Sequence, residues 1–432
     1  MEPRARHAGR ELAIPTGGWP LDRDQEVASM EATGERPQAA EVGGQDADAS
    51  TGALPAVRPL DDRPLRMHED RRGLPSRLIG VNLLIWVGLA ALAGVAFGPR
   101  GLRRALPLLA VTVAYLPAVL LLTAALHPSE LAERLIAGTG PPALALATVR
   151  LAGGYGALAI AGAVSVLGYA VDVVAGSTLT ALSLMGPNPA AGVRFFGIGN
   201  ELEATVVALI PIATGAALVA WAPRISPRAA ALVFALTGLG AVAVFAPGRF
   251  GADVGAAIAI PVGAAVAAAA CLEGSRRRVL LVIAAPIAAL AALGAADLLL
   301  GGNAHLSRSV LEAGGADQLA DIAERRLRLS AGNFSRYAST PMLWICALAI
   351  VAGIAQRRRI EAWFVERHTA WAGLGGAAAG TVAGTLANDS GALVLMIGTA
   401  LCALSVGLAW ATRGNATSAA GVSLPHRRER VR

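Results

Sequence analysis

The sequence predicts an all-α fold: a polytopic transmembrane helical bundle of about ten, alternatively eleven, spans behind a disordered N-terminal tail. Three observations predict it. The 432 residues are 55% hydrophobic and only 16% charged, against about 25% charged in a soluble domain. The apolar share comes mostly from Ala, Leu, Val and Gly, with 50 Gly, the mix of a glycine-rich membrane bundle. Several stretches of about twenty residues nearly lack charge, and each is long enough to span a bilayer. A soluble globular enzyme is excluded first.

Residues 1–77 read as a disordered cytoplasmic tail, rich in Pro, Gly, Glu, Asp and Ala with no hydrophobic period. They hold 11 Arg and 14 Asp/Glu, a net charge of −3. No apolar stretch in them resembles a signal peptide. Arg63, Arg66, Arg71, Arg72 and Arg77 crowd the first apolar run, and basic residues in that position mark the cytoplasmic side.

Residues 78–411 form the transmembrane domain. Candidate spans lie at 78–97, 105–126, 143–171, 202–221, 229–246, 253–271, 279–300, 341–355, 369–387 and 391–411. Ten crossings put both termini in the cytoplasm, in agreement with Arg413, Arg427, Arg428, Arg430 and Arg432 of the basic tail 412–432. Arg224 and Arg228, Arg276 to Arg278 and Arg357 to Arg359 fall on the same side. Trp221, Trp371 and Trp410 fall at inner ends and Trp344 near an outer end, as interfacial anchors do. The loop Gly98-Pro-Arg-Gly-Leu-Arg-Arg104 disagrees, since three Arg would lie outside. Arg150 also ends an alternative extra span that begins near Leu135, which gives the eleven-span version. Pro211 and Pro261 mark places where spans four and six could break.

Two longer outer loops interrupt the bundle, 172–201 and 301–337. Within the second, Ala316 to Leu329 has helical periodicity, with i,i+4 pairs Asp321/Arg325 and Glu324/Arg328. It reads as an amphipathic helix at the outer interface.

All 37 basic residues are Arg. Without Lys, a Walker-type ATPase and a Schiff-base enzyme are excluded. Cys271, Cys346 and Cys402 are far apart in apolar segments and read as buried thiols. The excess positive charge lies in short loops, a topology signal rather than a nucleic-acid one.

In this topology the polar clusters share the extracytoplasmic face: Arg194-Phe-Phe-Gly-Ile-Gly-Asn-Glu201, Gly248-Arg-Phe-Gly-Ala-Asp253, Asn303-Ala-His-Leu-Ser-Arg308 and Asn388-Asp-Ser-Gly391. Asp172 and Asp297 sit near outer span ends. Three clusters immediately precede spans running inward, so three positive helix N-termini would point to one face and suit an anion. Arg194, Arg249 and Arg308, with Asn200, Asn388 and Ser390, are the candidate anion and substrate ligands. A histidine can act as acid or base near neutral pH, so His305 is the candidate acid or base, with Glu201 and Asp389 as catalytic partners. Glu201, Asp253 and Asp389 could alternatively hold a divalent cation. The bland alternatives are that Asp253 and the Asn388–Ser390 run are helix caps, and that each Arg snorkels to lipid phosphate. Gly376, Gly380 and Gly384 recur every four residues as a packing face.

The motifs Arg194 to Glu201, Gly251-Ala-Asp-Val-Gly255 and Asn388-Asp-Ser-Gly391 resemble those of a family of bacterial multi-pass membrane proteins of uncharacterised function. The resemblance covers about 172–411. Asp253 stands where that family's pattern has Asn, and Ala256 where it has Gly. The resemblance implies a membrane location and grouped motifs and supplies no activity; the expected location is the bacterial inner membrane.

Three functions compete. The first is a cell-envelope enzyme acting on a lipid-linked or phosphate-bearing substrate at the outer face, with membrane lipids as neighbours and no nucleic-acid partner. The second is a secondary transporter or flippase. The third is a membrane scaffold whose tail recruits cytoplasmic partners.

Overall fold

The computed structural model describes residues 74–187, 197–272, 275–299, 316–388 and 390–413. Among these it is 87% helix, with no strand. The major helices are α1 (Leu74–Leu126), α2 (Glu130–Val174), the short α3 (Thr178–Leu182), α4 (Asn200–Trp221), α5 (Pro227–Phe245) and α6 (Val254–Cys271). They continue as α7 (Ser275–Leu299), α8 (Ala316–Tyr337), α9 (Pro341–Ala355), the short α10 (Arg357–Glu361), α11 (His368–Ala387) and α12 (Gly391–Thr412). Six of them are long and apolar enough to cross a membrane, and a seventh is added if α8 and α9, bent by 110°, count as one. Apolar side chains such as Leu84, Val95, Leu151 and Leu348 are 69–87% exposed, which fits a hydrocarbon solvent rather than water.

α1 and α2 have 53 and 45 residues, about 80 and 68 Å if straight, more than twice the hydrocarbon thickness. Each is broken at a glycine. Gly98 (φ 59°, ψ −151°) and Gly153 (φ 68°, ψ 178°) hold backbone angles that side chains with a Cβ avoid. Both breaks are reversals. A Cβ built on Gly94 would lie 3.5 Å from Leu102, whereas a straight helix separates these positions by about 12 Å. Gly140 packs on Val119 and Gly168 on Leu121, although a straight α2 would hold 140 and 168 about 42 Å apart. Ser165 Oγ donates to Ala114 O (2.6 Å), and Trp86 Nε1 donates to Gly138 O (3.1 Å). The arms 74–97, 99–126, 130–152 and 154–174 thus run alternately up and down.

This corrects the expected segment 143–171. The helix reverses at Gly153 inside that stretch, because Gly-Gly at 153–154 supplies the left-handed turn and lets 154 approach Leu408 and Pro107. The other expected segments coincide with helices to within a few residues. Neither Pro211 nor Pro261 interrupts its helix. A single missing N–H inside a packed bundle is tolerated, and the Pro211 carbonyl lies directly against Gly373.

The second half is held by small residues. α11 runs antiparallel to α4 through the contacts Gly215/Thr369, Pro211/Gly373 and Val207/Gly380. It runs antiparallel to α6 through Gly263/Gly376, where a Cβ on Gly376 would stand 2.5 Å from the Gly263 carbonyl. It is antiparallel to α12 through Thr381/Gly398 and Thr385/Gly391. In lipid, such close backbone approach supplies the van der Waals contact that the hydrophobic effect does not. The expected glycine face of α11 is therefore a packing surface on three sides. Since α4, α6 and α12 all oppose α11, they run parallel and start at the same end of the bundle.

Candidate functional site

That shared end carries a closed ring of side chains. Asn200 opens α4, and its Nδ2 donates to Ser390 Oγ at 2.6 Å. The Ser390 backbone N–H donates to Asn388 Oδ1 at 2.8 Å. Asn388 Nδ2 donates back to Asn200 Oδ1 at 3.3 Å and also to Glu203 Oε2. Residues 188 positions apart are thereby joined. Asn388 is buried, and Glu203 has no exposed surface. Burying such groups is costly unless they are hydrogen-bonded, and the amide–carboxyl contact meets that need.

Glycine makes the space. A Cβ at Gly255 would fall within contact distance of Glu203 Oε1 and 2.9 Å from its Cδ, and a Cβ at Gly384 would stand 3.8 Å from Oε1. The Glu203 carboxyl is therefore wedged between α6 and α11, about one turn below the ring.

The surrounding loops fix the three helix starts. Asp253 caps α6, accepting from Ala256 N at 2.8 Å. Ile198 N donates to Gly251 O at 3.0 Å, which ties the start of α4 to the α5–α6 turn. Asp172 accepts from Leu179 N (3.0 Å) and Thr180 N (2.6 Å), capping α3. Tyr169 and Ser183 share a hydroxyl hydrogen bond of 2.6 Å, and Ser177 Oγ accepts from Gly197 N at 3.1 Å. By contrast, the N-caps of α4 and α12, Gly199 and Ser390, make no side-chain capping bond.

The predicted residues divide into four groups. Asn200, Asn388 and Ser390 come together. Asp253 lies at the same end with one carboxylate oxygen engaged as a cap. Glu201 is exposed, and Arg249 is exposed with its guanidinium 5.7 Å from the Phe250 ring centroid. Arg194, His305, Arg308 and Asp389 lie outside the described residues, as does the 301–315 part of the expected loop. Among the described residues no group of three or more His, Cys, Asp and Glu is placed to hold a metal ion.

Glu203 and Gly255 are the participants that sequence reasoning did not single out. The signal existed: Asn200 and Glu203 are three apart on one helix face, whereas Glu201 is two residues from Glu203 and points the other way.

The opposite end has a different chemistry. Arg367 Nη2 donates to Thr412 O (2.9 Å), and its guanidinium lies 5.3 Å from the Tyr155 ring centroid. Arg413 stacks on Trp363 and Trp410, and Arg103 reaches Trp410 at 5.5 Å. Desolvation, aided by the Arg103 and Arg359 charges, pulls the Arg413 pKa below its usual value. This arginine–aromatic band has the composition of a membrane interface.

Comparison with known proteins returns no matching family, curated protein or solved structure.

Proposed function

We propose that this membrane protein is a cell-envelope enzyme whose site lies at the ring end, on the extracytoplasmic side of a bacterial inner membrane, and that its substrate is lipid-linked or phosphate-bearing. The observation that carries the reading is the convergence of the α4, α6 and α12 N-termini on one polar ring. Two of these termini make no side-chain capping bond. Helix N-termini attract anions through their N–H groups and dipoles. The arginine–aromatic band at the other end supports a cytoplasmic assignment there.

In this reading Asn200, Asn388 and Ser390 orient the substrate, with Glu203 holding the Asn388 amide from below. Arg194, Arg249 and Arg308 receive the phosphate, and His305 moves the proton, with Glu201 and Asp389 as its catalytic partners. A divalent cation would need Glu201 and Asp389, because Asp253 already spends an oxygen on its cap. The family resemblance and the count of ten or eleven crossings belong to the same proposal.

The test is conversion of a polyprenyl phosphate or pyrophosphate by the purified full-length chain in nanodiscs. Turnover that disappears in His305→Ala while membrane insertion persists supports the proposal. An equally active His305→Ala protein removes the acid/base assignment. The transporter reading is favoured by one observation, the fully buried Glu203 carboxyl inside the bundle, since buried ionisable groups in membrane domains mark ion pathways. Solute or proton flux in proteoliposomes without chemical conversion would select it. The continuity of α4 and α6 through their prolines removes the broken helices expected of that class.

A further inference from the structure

We infer that the chain crosses the bilayer an odd number of times, eleven, so that the start of α1 and the end of α12 lie on opposite sides. This inference goes beyond the enzymatic reading and does not depend on it. The even count expected from hydropathy treats 143–171 as one span. The reversal at Gly153 divides α2 into two arms, each long enough to cross, because 140 and 168 both pack beside 119–121. One added reversal moves every upstream segment to the other side.

An independent contact gives the same answer. With ten crossings, the loop 98–104 faces away from the end of α12. In the structure Arg103 and Arg413 stack on the same ring, Trp410, at 5.5 and 5.0 Å. Leu106 packs on Gly407, and Gly154 on Leu408. The three Arg of the 98–104 loop, out of place in the even topology, thus join the other arginine loops. The start of α1 then belongs to the opposite end, with the ring. Asn82 and Trp86 agree, since both pack on Gly138, two residues from the Gly140 that meets Val119.

The opposing signal is the arginine run that ends at Arg77. It stands next to an acidic segment, net −3 over 1–77, and orientation is set by the balance of all the short loops rather than by one flank. The consequence is topological: the start of α1 opens toward the ring side, which counts against a scaffold that recruits cytoplasmic proteins ahead of α1.

Two measurements test this on the full-length chain. The first places one epitope tag before Met1 and another after Arg432, with external protease added to spheroplasts before and after permeabilisation. The expected result is opposite sensitivity, the N-terminal tag digested from outside and the C-terminal tag only after permeabilisation. Identical behaviour of the two tags would overturn the inference. The second makes two double-cysteine chains, Val119→Cys with Gly140→Cys and Leu121→Cys with Gly168→Cys, the native cysteines being Ala. A Cβ on Gly140 lies 3.4 Å from Val119 Cγ1, and one on Gly168 lies 3.3 Å from Leu121 Cδ2. A short bifunctional maleimide should join both pairs by peptide mass mapping, because α2 folds back at Gly153. Failure of either pair would mean that α2 runs straight through Gly153 and that the count is wrong.

Discussion

Replacing Gly255 with Ala probes the centre of the site through one methyl group. The new Cβ would enter the space of Glu203 Oε1 and come within 3.0 Å of Oε2. The three nearest atoms all belong to the Glu203 carboxyl, which has no exposed surface, so the carboxyl must turn or α6 must move away from α4. Overpacking of this kind costs about 1–3 kcal/mol. Turning the carboxyl also loses the Asn388 hydrogen bond, worth about 1.5–3 kcal/mol when one partner is charged. Together these cost about 2.5–6 kcal/mol, and the gain of about 0.5–1 kcal/mol from a helical Gly→Ala change leaves about 2–5 kcal/mol. Gly240→Ala is the control, since nothing lies within 4 Å of a Cβ there, and a helical Gly→Ala change gains about 0.5–1 kcal/mol. Stability is read from reversible SDS unfolding of the protein in mixed micelles. Glu203→Ala clears the space, so Gly255→Ala added to it should cost far less than in the parent, a coupling of at least about 1 kcal/mol. Equal stability of Gly255→Ala and Gly240→Ala, or strict additivity with Glu203→Ala, would refute the wedge.

Other consequences follow from single contacts. Asn388→Leu removes the donor to Glu203 and Asn200 and the acceptor for Ser390 N, and should cost about 2–5 kcal/mol in the same unfolding assay. Gly376→Leu would force α11 off α6 at the Gly263 carbonyl, and should leave little monodisperse protein by size-exclusion chromatography. Asp172→Ala uncaps α3 and should lose about 1–2 kcal/mol, with raised hydrogen exchange confined to the 172–199 region. Arg367→Ala loses the Thr412 carbonyl contact and the stack on Tyr155, worth about 1–3 kcal/mol together, and a Lys at 367 should restore only part of it.

Much of the fold was legible because long apolar runs fix helix positions to within a few residues. The glycine spacing of α11 announced its packing face, and the segments 341–355 and 391–411 were read almost to the residue. The reversal at Gly153 was legible only as an alternative: Arg150 marks the end of an extra span from near Leu135, but the Ala, Leu and Gly around it also read as one stretch, 143–171, because hydropathy averages over a reversal. The break at Gly98 was visible, since Pro99 and three Arg follow it, but its side of the membrane could be read only after the second reversal was known. At the site, Asn200, Asn388 and Ser390 were accessible as polar residues at helix starts. Glu203 was hidden beside Glu201, because choosing between two nearby carboxylates requires the helix phase. The fit of Gly255 against it is a tertiary fact with no local signature.

In the proposed orientation, residues scattered from 172 to 390 share the outward-facing end of the bundle. Single cysteines at Ala175, Arg249 and Arg357, each exposed, test it most directly with a membrane-impermeant maleimide on intact spheroplasts. Positions 175 and 249 should label from outside, and 357 only after permeabilisation. Labelling of 175 and 249 from different sides, or of 357 from the same side as either, would contradict it.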